Sequence, residues 1–215
     1  MPDPMTDPLF SLLRPERQTL VVDIGASAQD GGAPFYKPMF DRALCRILGF
    51  EPYEKAFADL QAKRGPLETY LPHAIADGNE HTLHICEEGG MTSLMRPDPK
   101  RLHQFQIFTA AARVLQEQRI ATRKLDDIPE AQDCDYLKID VQGGEMMVLR
   151  NATKALAHAV AVHIEVWFVP LYENQPLSAT STSNCGATVS CPTRCWMRAN
   201  RSSRRCTSRT SRSPD

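Results

Sequence analysis

At 215 residues, 42% apolar and 24% charged, the chain has the composition of an ordinary globular domain large enough to bury a core. No stretch approaches the roughly 18 to 20 apolar residues of a membrane span. The start, MPDPMTDPLFSLLRPERQ, lacks the basic-then-apolar order of a secretory leader, so a cytoplasmic location is expected. The net charge of −1 hides a division near residue 177: the seven basic residues beyond it are all Arg, against one acid, Asp215. All six His lie before the division, while Cys185, Cys191, Cys195 and Cys206 lie after it. Three regions follow: an extension over 1–17, a domain over 18–177, and an Arg/Ser/Thr-rich tail over 178–215.

In chain order, TLVVDIG (19–25) predicts a strand ending in an acid and a glycine. PMFDRALCRILGFEP predicts a helix running into a second strand that closes on Glu51. EKAFADLQAKRG has helical spacing, with Gly65 as its terminator. TYLPHAIAD and HTLHICE predict strands joined by a GN hairpin turn, and RLHQFQIFTAAARVLQEQ predicts a helix. ATRKLDDI is a short extended piece and DYLKIDV the next strand. GGEMMVLRNATKALAH then predicts a helix, and AVAVHIEVWF a long buried strand. Strands separated by helical segments imply an α/β fold, a mostly parallel doubly wound sheet. Such sheets bind ligands outside the carboxyl ends of their strands.

Asp23, Glu51 and Asp140 fall at those ends. Gly25 lets backbone approach a ligand, Ser27 adds a hydroxyl, and Glu51 suits the two hydroxyls of a ribose. Ser27 stands where a dinucleotide loop has its second glycine, which disfavours NAD. S-adenosylmethionine, with ribose and adenine but no phosphate, fits better. Taken singly, each residue has a plainer reading: a tight turn at 23–27, a solvated Glu51, an Asp140 that caps the following helix. Glu145 reads as an acid complementing the dipole of that helix. His163 and Glu165 share one face of their strand and join Asp140 as candidates for a general base. For His163 the competing reading is a core histidine. No metal site is expected, because His81, His84 and Cys86 lack a fourth ligand at standard spacing.

VVDIGAS, LGFEP, YLPHAIADG, GMTSL, TRKLDDI, DYLKIDVQGGEMMVLRNA and IEVWFVPLYENQPL together resemble the FkbM family of S-adenosylmethionine-dependent methyltransferases. The resemblance implies a Rossmann-like methyltransferase fold and methyl transfer, usually to an oxygen of a sugar, glycan or natural product. It places Asp23, Gly25 and Ser27 along the methionine moiety, Glu51 at the ribose, and Ala76 and Asp77 beside the adenine. It puts Asp140 near the transferred methyl, and Thr92 and Ser93 on the acceptor side of a lid over 87–118. Two other readings stand beside it: an NAD(P)-dependent oxidoreductase on a similar sheet, and a nucleic-acid-binding protein acting through the Arg-rich tail. Nucleic acid is the weaker expectation, and oligomeric state is not legible.

The tail departs from the family. After Leu177 there is no Leu, Ile, Phe or Tyr, so the segment is expected to be disordered and the sheet to lack its last strands. A slipped reading frame near codon 178 accounts for this. Read in the alternative frame, ATSTSNCGATVSC can give an amphipathic helix followed by Gly-Phe, the elements the fold needs next.

Overall fold

A computed structural model describes residues 16–27, 33–104, 106–176 and 194–199. Its centre is a parallel sheet in the order β3-β2-β1-β7-β8, formed by β1 (Thr19–Ile24), β2 (Cys45–Phe50), β3 (Glu68–Leu71), β7 (Tyr136–Ile139) and β8 (Ala161–Val166). The register runs from Thr19 opposite Cys45 to Ile24 opposite Phe50, and from Val21 opposite Tyr136 to Ile24 opposite Ile139. β1 is central, and Leu20 to Ile24 are buried without interruption, as a strand covered on both faces requires.

One face packs Leu20, Val22, Leu48, Leu137 and Ile164 against Val148, Leu149 and Leu156 of two short helices, α5 (Glu145–Arg150) and α6 (Thr153–His158). The other packs Val21, Cys45 and Ile47 against Tyr36, with Met39 and Phe40 of α1 (Lys37–Phe40). The ten-residue α2 (Glu54–Lys63) joins β2 to β3, with Glu54 in its first turn and Lys63 in its last, each suited to the helix dipole. It ends because Arg64 turns extended, not through a left-handed Gly65.

Three elements depart from the sequence reading. TYLPHAIAD divides at Pro72–His73. Its second half, β4 (Ala74–Ile75), leaves the main sheet for a smaller one of order β4-β6-β5, with β5 (Glu80–Cys86) and β6 (Val114–Arg123). β5 therefore pairs with β6, not with β4 across a GN hairpin. The segment expected to be one helix over 101–118 holds only α3 (Pro99–Leu102) and α4 (Gln106–Ala111) before becoming β6. Pairing with β5, from Glu80 opposite Ala121 onward, overrides the helical preference of Gln and Glu. The helix expected over 143–158 breaks at Asn151 and Ala152, where Asn151 Nδ2 turns back to donate to the Met147 carbonyl at 2.8 Å.

The tail also departs. β9 (Arg194–Ala199) runs parallel to β8, from Ala161 opposite Arg194 to Val166 opposite Ala199, and makes a sixth strand of the main sheet. Disorder does not hold for these six residues, and the edge of β8 is not bare. The composition argument concerns side-chain burial, whereas a sheet edge offers backbone partners to any extended segment. The rest of 177–215, with the other three tail cysteines, lies outside the described residues, as does the extension up to residue 15. Among the described residues no helix is long and apolar enough to cross a membrane.

Candidate active site

The carboxyl ends of β1, β2, β7 and β8 open into one cavity of about 330 Å³. Asp23, Gly25, Ser27, Glu51, Asp140, His163 and Glu165 all line it, so residues up to 142 positions apart in sequence share one site. Of the segment 87–118 only Gly89, Gly90, Thr92, Ser93 and Leu94 reach its wall. α3 and the end of α4 instead pack Leu102 and Phe108 into a second core with Leu171 and Tyr172. Ala76 and Asp77 do not reach the cavity; His73, Ala74 and Ile75 do. Ala76 is tied to β6 through its N–H, and Asp77 serves a turn, bound by Asn79 and by His81 at 2.8 Å. Burial alone would raise the Asp77 carboxyl, but those hydrogen bonds hold it well below its usual range.

At the β1 end, Asp23 is 2% exposed. Its Oδ2 accepts a 2.5 Å hydrogen bond from Tyr36 Oη, and its Oδ1 lies 2.9 Å from Lys138 Nζ. Lys138 also donates to the Gly25 carbonyl at 2.8 Å and stands 4.0 Å from Asp140 Oδ2. Burial pushes the Asp23 carboxyl upward against the pull of Lys138 and Tyr36. For Lys138, burial works against the charge, but Asp23 and Asp140 more than offset it and hold the ammonium protonated. Gly25 has φ +78°, and a Cβ there would stand 2.0 Å from the Asp140 carbonyl oxygen. Only glycine allows these two turns to touch. Glu51, 6% exposed, accepts the Tyr53 N–H at 2.9 Å, and burial raises its carboxyl.

At the β7 end the turn after Asp140 is left-handed, with φ 58° at Gln142 and 100° at Gly143. Ser93 Oγ donates to the Gln142 carbonyl at 2.7 Å. The Gln142 amide nitrogen donates to Asp140 Oδ1 at 2.8 Å and to Glu165 Oε2 at 3.1 Å, while Tyr172 Oη donates to its oxygen at 3.3 Å. Two carboxylates on the same amide fix its orientation, because the reverse would set three acceptors together. Glu145, 5% exposed, accepts the N–H of Gly143 at 2.9 Å and of Val141 at 3.3 Å, so it closes this turn as well as opening α5. Burial lifts its carboxyl to about 7. His163 packs edge-on against Phe35, ring centroids 4.7 Å apart, at the cavity wall.

Three residues central to this geometry, Lys138, Gln142 and Tyr36, were not singled out by the sequence reading. Lys138 carried a signal, since it interrupts an apolar run two residues before Asp140 and so shares its face. Tyr36 carried none, because only the fold brings it to Asp23.

Acids at successive strand ends thus border one cavity of a parallel sheet of the Rossmann-like α/β class. Residues 23–186 match the methyltransferase FkbM domain, and the chain belongs to that family. It is an enzyme, and the oxidoreductase reading gives way to methyl transfer. The match runs nine residues past the compositional division at 177. No curated protein and no solved structure matches the chain significantly.

Proposed function

We propose that the cavity binds S-adenosylmethionine and that the enzyme methylates a hydroxyl of a sugar, glycan or other natural product. The observation that carries this reading is the row of acids along a single cavity: Glu51, Asp23, Asp140 and Glu165, from the adjacent strands β2, β1, β7 and β8. The cofactor would fit, because the carboxylates of Asp23, Glu51, Asp140 and Glu165 that line the cavity suit a cationic ligand. Bound there, it supplies a sulfonium-activated methyl group ready for in-line displacement.

The remaining work belongs to the chain. Glu51 receives the ribose hydroxyls, and Asp23, Gly25 and Ser27 line the methionine end. An acceptor hydroxyl must lose its proton, and Asp140 or Glu165 takes it within hydrogen-bond reach. Gln142 holds both carboxylates in place by donating to each. Alignment of the acceptor, more than acid catalysis, then sets the rate.

Calorimetric titration with S-adenosylhomocysteine tests the cofactor assignment. Glu51→Ala should weaken binding by about 1 to 3 kcal/mol, the scale of hydrogen bonds to a charged group. Unchanged affinity in a folded variant would remove Glu51 from the site, and binding of NAD in place of the homocysteine derivative would overturn the reading.

A further inference from the structure

β6 is set apart from the other strands. From Leu115 to Arg119 every residue is exposed, so both faces of the strand meet water there. β5 occupies one edge in antiparallel register. The other edge meets β4 only at Thr122 and Arg123, and no further described strand runs beside 114–121.

Backbone direction can be assigned along that open edge. The Thr122 N–H donates to Asn79 on the β5 side, while the Arg123 carbonyl accepts from Ala76 on the β4 side. Alternation then turns Glu117 and Arg119 outward, each presenting an N–H and a C=O to a further strand; it stops at Leu115, where the register with β5 shifts, and at Ala121, beside β4. Edges are commonly protected by lysine, proline, bulges or inward charges, and 116–120 holds neither lysine nor proline. Here Glu117 and Arg119 flank Gln118 with opposite signs.

The geometry points to a homodimer in which β6 of two copies pairs antiparallel about Gln118. In that register each Glu117 faces Arg119 of the second copy, in the pairs whose outward backbone groups exchange both hydrogen bonds. Centring the pair on residue 117 or 119 would oppose like charges, which cross-strand positions disfavour. Within one chain Arg119 pairs with Glu80, and Glu117 lies 3.5 Å from Arg96 and, at the longer distance of 3.8 Å, from His84. The side chains of Arg119, Glu80, Glu117 and Arg96 are all about half exposed or more, so their contacts are weak and leave both charges available. The pairing runs from Gln116, beside the register shift, to Ile120, short of β4, giving five residues per copy. No residue of β6 lines the catalytic cavity, so the inference is independent of the cofactor and acceptor.

The test is sedimentation equilibrium of the full chain at several concentrations. Wild type should dimerise reversibly. Glu117→Arg and Arg119→Glu should each raise the dissociation constant at least tenfold, and the double exchange E117R/R119E should return it to within about threefold of wild type. S-adenosylhomocysteine affinity or thermal unfolding shows that each variant is folded, and Arg119→Glu carries the test alone should Glu117→Arg fail to fold. A monomer at every concentration, a dimer indifferent to either single exchange, or a folded double exchange that stays monomeric would each overturn the proposal.

Discussion

Replacing Lys138 with Met removes the cation 2.9 Å from Asp23 Oδ1 and leaves that 2% exposed carboxylate with the Tyr36 hydroxyl as its remaining close partner. Breaking a buried ion pair from one side costs about 3 to 5 kcal/mol when the orphaned charge stays ionised. Asp23 has an alternative, which is to take up a proton. From an unfolded pKa of roughly 3.9, protonation at pH 7 costs about 4 kcal/mol, and that cost falls by about 1.4 kcal/mol for each unit the pH drops. The folded variant then holds a proton that the unfolded chain lacks, between the unfolded pKa and the raised folded one. Its stability relative to wild type therefore falls as pH rises through that window. Urea unfolding at pH 5.5, 6.5 and 7.5 should show a deficit that grows with pH towards about 4 kcal/mol. Adding Asp23→Asn should abolish the slope. A deficit independent of pH, or one that the second substitution leaves sloping, would refute Asp23 as the orphaned charge.

Gly25→Ala puts a Cβ 2.0 Å from the Asp140 carbonyl at a positive φ, so the two turns must part. Titration with S-adenosylhomocysteine should show a loss of at least a hundredfold in affinity, and near-normal binding would mean the turns adjust freely. Gln142→Glu replaces the amide shared by Asp140 and Glu165 with a third carboxylate, which raises the proton affinity of the cluster. The pH–rate profile should shift to higher pH, and an unmoved profile would separate the pair from proton transfer. Glu145, lifted by burial to about 7, binds a proton in the folded state that the unfolded chain has released above about pH 4.5. Its contribution is full below that and lost as pH rises to about 7, so Glu145→Gln should flatten this dependence and gain stability at pH 8. Unfolding curves that keep the wild-type slope would deny the residue that role.

The inner strands of the main sheet were legible because their sequences are largely apolar runs: Leu20 to Ile24 and Ile47 to Phe50 read as buried strands and are buried. β6 was not, since VLQEQRIATR has no apolar periodicity of either kind and takes its conformation from β5. The same distinction runs through the site. Asp23, Glu51 and Asp140 could be placed at strand ends from local pattern, and all three reach one cavity. Ala76 and Asp77 were placed by the family resemblance of AIADG, but the chain leaves the main sheet at Pro72, and the residues that line the cavity are 73–75. Glu145 looked like an ordinary first-turn acid because burial is a property of the packed fold, and Met146, Val148 and Leu149 draw its helix inward.

The turns after β1 and β7 are fastened to each other three times over. The Asp140 N–H donates to the Ile24 carbonyl at 3.0 Å, Lys138 reaches the Gly25 carbonyl, and Gly25 leaves no gap beside Asp140. A change in either turn is thus felt by the other, so substitutions around 23–25 and 138–142 should show strong epistasis, tolerated in pairs where they fail singly. On the opposite wall Tyr36 is tied to Asp23 and Ser93 to the Gln142 carbonyl, while Phe35, Thr92 and Leu94 border the same cavity beside them. Changes of acceptor, in evolution or by design, would therefore accumulate at Phe35, Thr92 and Leu94 while the joined turns stay as they are.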